Sequence, residues 1–152
     1  MIDVQQLSKI IEAGESLTVE FKSDRQQTSD KTIYEEVMAL ANTNGGILLI
    51  GVDDNSKITG AKPRHGNTTD PIKLQSAIFS NTVPNINTRI SIIEHTDGRV
   101  IAIEVDSYPE PCAIATGKSL HRVIGADGKP QSMPFYPHDQ RSRRVDLGLL
   151  DF

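Results

Sequence analysis

Apolar residues recur every three to four positions through Val4, Leu7, Ile10 and Ile11, which predicts a short helix over 3–13 ended by Gly14. Strict alternation from Ser16 to Lys22 then predicts a strand. Leu17, Val19 and Phe21 take one side of it, and Thr18, Glu20 and Lys22 the other. A polar loop follows over 23–29. Helical spacing returns from Ser29 or Asp30 to Ala41, with Ile33, Val37, Leu40 and Ala41 as the apolar face. The run Asn42-Thr43-Asn44-Gly45-Gly46 breaks that helix with glycine at its C-terminal side.

Ile47 to Val52 is an almost unbroken apolar run of strand length, the pattern of a central strand covered on both faces. Asp53-Asp54-Asn55-Ser56 reads as a turn, and Lys57 to Ala61 as a short returning strand. Asp70-Pro71 opens a third helix, with Ile72, Ala77, Ile78 and Phe79 as its apolar residues, ending before Pro84. Residues 87–95 and 99–106 form a hairpin pattern about Asp97-Gly98, with Ile90, Ile92, Ile101, Ile103 and Val105 pointing inward. Short strands are expected near 112–116 and 119–124, a loop from Ala126 to Pro137, and either a helix or an extended arm from Gln140 onward. Together these predict a single α+β domain, a mixed central β-sheet with about three helices.

Composition narrows the functional classes. The chain has 152 residues, 37% hydrophobic and 24% charged, which suits one folded domain rather than a disordered chain. Its single cysteine, Cys112, excludes an internal disulfide framework and a cysteine-rich zinc module. No segment approaches a membrane span, and the N-terminus lacks the form of a signal peptide, so the expected address is the cytoplasm and no membrane partner is expected. Net charge is −4, unevenly spread. Residues 1–117 carry 10 Lys/Arg against 16 Asp/Glu, whereas residues 118–144 carry 6 against 2. An acidic body with a basic late segment suits a local phosphate contact, and equally an ordinary solvated surface.

The residues with chemical potential are Glu15, Glu20, Lys22 and Asp53. Glu20 and Lys22 lie two apart and project from one strand face. Asp53 follows the C-terminal end of the buried strand. Three carboxylates meeting at one point make a hard-oxygen site for Mg²⁺ or Mn²⁺, and a lysine beside them would orient water or neutralise charge developing on a phosphate. The same residues fit an exposed cross-strand ion pair and turn chemistry. The histidines His65, His95, His121 and His138 have no ligand spacing, and Gly125-Ala-Asp-Gly-Lys129-Pro130 is not a phosphate-binding P-loop. Arg141, Arg143 and Arg144 form a small basic cluster suited either to phosphates or to the acidic body.

Two strings resemble the Schlafen-type AlbA-like domain: Glu15-Ser-Leu-Thr-Val-Glu20-Phe21-Lys22, and the more specific Ala39-Leu-Ala-Asn42-Thr43-Asn44-Gly45-Gly46-Ile-Leu-Leu-Ile-Gly51-Val52-Asp53-Asp54. Ile58-Thr-Gly60, Pro84, Pro109 to Pro111 and His121-Arg122-Val123-Ile124-Gly125 extend the likeness over about 12–130, although His121 stands where an aromatic is usual. The resemblance implies a DNA- or RNA-binding module of the kind that opens longer bacterial chains resembling transcriptional regulators or helicase-related proteins. The family has also been labelled divergent AAA, a label at odds with the missing P-loop. In animal Schlafen proteins the domain acts as a metal-dependent endoribonuclease, which would make Glu15, Glu20 and Asp53 metal ligands with Lys22 beside them.

On this reading the domain occupies 1–137, and 138–152 is a C-terminal arm or the start of a linker. Candidate nucleic-acid contacts are Lys22, Arg25, Arg64, Arg122, Lys129, Arg141, Arg143 and Arg144. Three functions stay open: a regulatory nucleic-acid-binding module; a nuclease using Glu15, Glu20, Lys22 and Asp53 with Mg²⁺ or Mn²⁺; and an oligomerisation or partner-binding domain. A homodimer is a reasonable state for an edge-rich sheet with a trailing arm.

Overall fold

Asp3 caps the first helix, α1 (Val4–Ala13), accepting from the Gln6 amide while the Gln6 side chain returns to the Asp3 amide. The computed structural model describes residues 1–150. After α1 come β1 (Val19–Lys22), α2 (Asp30–Ala41), β2 (Gly46–Ile50), α3 (Pro71–Ser80), β3 (Thr82–Val83), β4 (Thr88–His95) and β5 (Gly98–Val105). The chain continues through β6 (Ala113–Ile114), β7 (Leu120–Ile124), β8 (Pro130–Pro134) and α4 (Pro137–Asp146). Ser29 caps α2, and Asp70 caps α3 ahead of its first-turn proline, the latter as the sequence pattern predicts.

The main sheet has the order β1-β2-β5-β4, with β1 parallel to β2 and the other neighbours antiparallel. The two central strands are buried on both faces. Leu48, Ile50, Ile101 and Ile103 meet α2 and α3 through Ile33, Val37, Leu40, Leu74 and Ile78. Ile47, Leu49, Val100 and Ala102 meet α1 through Leu7 and Ile11. Helices therefore cover both faces of an α+β domain with a mixed sheet. Two smaller sheets, β3-β6 and β7-β8, stand beside it.

Gly46 allows the tight entry into β2. Its φ is +140°, and a side chain there would strike the Thr18 carbonyl. Among the described residues four helices form rather than three, because Pro137–Asp146 is helical. Pro130–Pro134 is a strand, not a loop: its two prolines stand at the strand's ends, opposite Ile124 and Leu120. The return over 57–61 shrinks to a single bridge between Val52 and Ile58. In α3 the core residues are Leu74 and Ile78, whereas Ile72 and Phe79 are exposed. The Asp151 and Phe152 end of the expected arm lies outside the described residues.

Candidate nucleic-acid interface and acidic cleft

Because β1 and β2 run parallel, with Glu20 beside Leu48 and Lys22 beside Ile50, their C-terminal ends open at one edge of the sheet. The chain leaves β1 into Ser23–Arg25 and β2 into Gly51–Asp54. These segments and the β7–β8 turn enclose a cleft of about 760 Å³ whose lining includes Glu15, Glu20, Lys22, Arg25, Asp53 and Lys129. All four residues predicted to carry chemistry thus face one space.

Glu20 and Lys22 share a strand face, but that face is not solvent. Val19 and Phe21 pack on the α1 side, which turns Glu20 and Lys22 toward α2 and β7. Arg122 of β7, itself buried, donates Nη1 to Glu20 and Nη2 to the carbonyls of Ser16 (2.8 Å) and Val19 (3.2 Å). Glu36 of α2 completes the group, with Oε2 3.7 Å from Lys22 Nζ and 3.8 Å from Arg122 Nη1. Lys22 Nζ is also 3.3 Å from Glu20 Oε1.

Acids outnumber bases here, and the proton affinities follow. Burial, then repulsion by Glu20, pushes the Glu15 carboxyl up to about 7, although its Oε1 accepts from the Phe21 amide at 3.2 Å. Burial likewise raises Glu36 against the pull of Lys22. Burial works against the Lys22 ammonium, but Glu36 and Glu20 together hold it above the ordinary lysine range. Asp53 moves the other way. Hydrogen bonds from the Lys57 amide (3.0 Å) and the Asn55 amide (2.9 Å), with Arg25 at 3.0 Å, hold it below the usual carboxylate range.

These partnerships bear on the metal expectation. Glu20 accepts from Arg122 on one oxygen and lies beside Lys22 on the other; Asp53 gives one oxygen to backbone amides and the other to Arg25. Among the described residues no three His, Cys, Asp or Glu side chains are gathered so as to hold a metal ion. As arranged, Glu15, Glu20 and Asp53 line a common cleft but do not fit a Mg²⁺ or Mn²⁺ centre, which needs their oxygens free and convergent.

Three of the predicted nucleic-acid contacts are engaged by partners within the fold. Arg64 is buried in a bidentate pair with Asp24, whose carboxylate also accepts from the Thr28 amide at 2.7 Å, fastening the 62–64 segment to the approach to α2. Arg122 is the buried partner of Glu20 just described. Arg143 is half-buried and donates to the Thr43 carbonyl (2.9 Å) and Ser107 Oγ (3.0 Å), pinning α4 to the end of α2. Arg25, Lys129, Arg141 and Arg144 are exposed, and Lys22 is half-buried in the cleft. Sequence reasoning missed Glu36 and Asp24. Glu36 carried a signal, since it stands three positions after Ile33 and next to Val37, inside the apolar arc of α2. Asp24 carried none, being one polar residue in a polar loop.

A family model described as Schlafen, AlbA_2 matches residues 15–130. The chain belongs to the Schlafen AlbA_2 family. Within the family match lie the whole main sheet, α2, α3 and the walls of the cleft except Gln131; α1 and α4 lie outside it. The fold is similar to that of the DIP2311 protein from Corynebacterium diphtheriae, with a TM-score of 0.66 at 20% identity. That likeness covers 93% of this chain and 32% of the other, so this chain spans about a third of that protein's length. A weaker likeness, with a TM-score of 0.43 at 21% identity, links 70% of the Schlafen AlbA_2 chain to 74% of the N-terminal domain of an ATP-dependent DNA helicase RecG-related protein from Nitrosomonas europaea. No curated protein matches the chain significantly.

Proposed function

We propose that this Schlafen AlbA_2 domain is a nucleic-acid-binding module that takes backbone phosphates across the mouth of the β1–β2 cleft. The observation that carries this reading is the presence of exposed Arg25 and exposed Lys129, from opposite ends of the fold's sequence, in one cleft lining with Lys22. Phosphates need such exposed cations, and a strand laid over the cleft would meet both. The carboxylates oppose this less than their number suggests. Glu20 is paired with the buried Arg122, and burial with repulsion by Glu20 pushes Glu15 up to about 7, so that near neutrality it is only partly charged. Arg25, whose side chain is 65% exposed, exchanges Asp53 for the phosphate, while Asp54 and Asp127 also line the cleft. The engagement of those same carboxylates favours binding over cleavage.

Fluorescence anisotropy with labelled DNA and RNA strands over a range of salt tests the reading. Wild type should bind at low salt and weaken steeply as salt rises. Arg25→Ala with Lys129→Ala should weaken all sequences alike and flatten the slope by about 0.7–0.9 per phosphate contact removed. No binding at low salt, or a double variant that binds as wild type does, would refute it.

A further inference from the structure

Helix α4 presents a second surface that the cleft reading does not use. It follows β8 and lies outside residues 15–130. Its residues are mostly polar and none is buried, so packing does not explain its composition. What holds it is Arg143, whose guanidinium grips the Thr43 carbonyl and Ser107 Oγ. With Arg143 turned inward, the opposite side of the helix faces solvent.

That outer side has a definite pattern. Tyr136 and His138 stack at the start of α4, with ring centroids 6.0 Å apart and planes within 12° of parallel. Both are open: Tyr136 is 55% exposed and the His138 side chain 79%. Arg141 and Arg144 follow His138 at intervals of three residues, which places all three in an arc of about 120° on the helix. Both arginines are exposed. The neighbouring acid, Asp139, accepts from the Tyr136 amide and lies 3.3 Å from His138 Nε2 and 3.8 Å from His121 Nε2, so among the described residues its partners are not these arginines.

We propose that this aromatic and basic stripe of α4 is a single-strand-specific nucleic-acid contact: unpaired bases stack on Tyr136 and His138 while the backbone phosphates meet Arg141 and Arg144. The proposal rests on the nucleic-acid reading above and adds to it a second site and a strand preference. Exposed aromatic faces beside cations are what a single strand offers a use for, because its bases are free to stack and its phosphates remain close by. A duplex keeps its bases stacked on each other and gains nothing from the aromatic pair.

The test uses the full chain, a labelled single strand, the same strand made abasic, and the matching duplex. Stripe variants are Tyr136→Ala with His138→Ala, and Arg141→Ala with Arg144→Ala; the cleft variant is Arg25→Ala with Lys129→Ala. These side chains are all exposed, Arg25 in an ion pair with Asp53 and His138 stacked on Tyr136 beside Asp139, and circular dichroism and thermal melting check the fold of each variant. The aromatic variant should lose about tenfold in affinity for the intact strand and little for the abasic one. The arginine variant should lower the salt slope by about 0.7 per residue removed. The chain has no tryptophan and three tyrosines, so its own tyrosine emission should fall on binding and that fall should shrink in the aromatic variant.

An aromatic variant that binds intact and abasic strands as wild type does overturns the α4 proposal, as does wild type preferring the duplex. If only the cleft variant weakens binding, the α4 site falls and the nucleic-acid reading stands. If wild type binds no strand at low salt, both fall.

Discussion

Arg122 and Glu20 lie 102 residues apart in sequence and meet as a buried ion pair at the back of the cleft. The pair ties the small β7–β8 sheet to the edge strand β1. The arginine does more than neutralise a charge, since its second nitrogen also satisfies the Ser16 and Val19 carbonyls. The interaction therefore fixes both the shape of the cleft and the direction in which Lys22 and Glu36 face.

Removing the arginine should leave the buried Glu20 carboxylate without its guanidinium donor, with Lys22 its one remaining cation among the described residues, and take one donor each from the Ser16 and Val19 carbonyls. Arg122→Ala is expected to cost about 3–5 kcal/mol, the range for breaking a buried pair from one side. Urea denaturation measures this. A loss within experimental error would mean that the pair is not what joins β7–β8 to β1.

Stability should also depend on pH through Glu15. Its folded value, about 7, lies above its ordinary value of 4.5, so the folded state prefers the protonated acid. That contribution is fully present below about 4.5 and is lost as pH rises through about 7. Glu36 acts in the same direction, while burial lowers His121 and works oppositely. Asp24 and Asp53 are held low and act at the acid end of the scale. Glu15→Gln should therefore flatten the fall in urea midpoint between pH 5 and 8 relative to wild type. An unchanged profile would show that Glu15 ionises normally.

The cations should separate into two classes. Arg64→Ala removes one side of the buried Asp24 pair and should destabilise the domain by about 3 kcal/mol or more. Arg25→Ala and Lys129→Ala should leave the melting temperature nearly unchanged and weaken nucleic-acid binding instead. Melting curves and anisotropy on the same samples distinguish the two, and a stable Arg64→Ala protein with weakened binding would reverse the assignment of Arg64.

The carboxylates can be tested for a metal directly. Since Glu20 and Asp53 already have partners, added Mn²⁺ or Mg²⁺ should give no saturable heat in calorimetry, and Glu20→Ala should leave labelled RNA and DNA as intact as wild type does. Saturable Mn²⁺ binding lost in Glu20→Ala, together with metal-dependent cutting, would show that the ion pairs open to admit a metal and would restore the nuclease reading.

Much of this molecule was legible because its elements are local. A cap and a periodic face lie within a dozen residues, so Asp70-Pro71 announced its helix, periodicity announced the other two, and the run Ile47 to Val52 announced a strand buried on both sides. The same holds for the hairpin of β4 and β5 and for the glycine entry at Gly46. The motif residues Glu15, Glu20, Lys22 and Asp53 were legible as candidates from their type, their spacing and the motif strings; that β1 and β2 pair in parallel, which brings them to one cleft, was not.

What the tertiary structure alone decided is the state of those charges. Whether an arginine meets solvent or a carboxylate depends on partners far along the chain: Arg64 on Asp24, Arg122 on Glu20, Arg143 on the carbonyls that end α2. The strand β8 was hidden because its prolines read as loop and only pairing with β7 reveals an edge. Side-chain type and spacing are set by covalent order, so the sequence carries the elements and the candidate residues. Burial and ion pairing arise only when distant segments pack, and that packing gave Arg64, Arg122 and Arg143 partners within the fold and gave Glu20 and Asp53 cations of the chain's own.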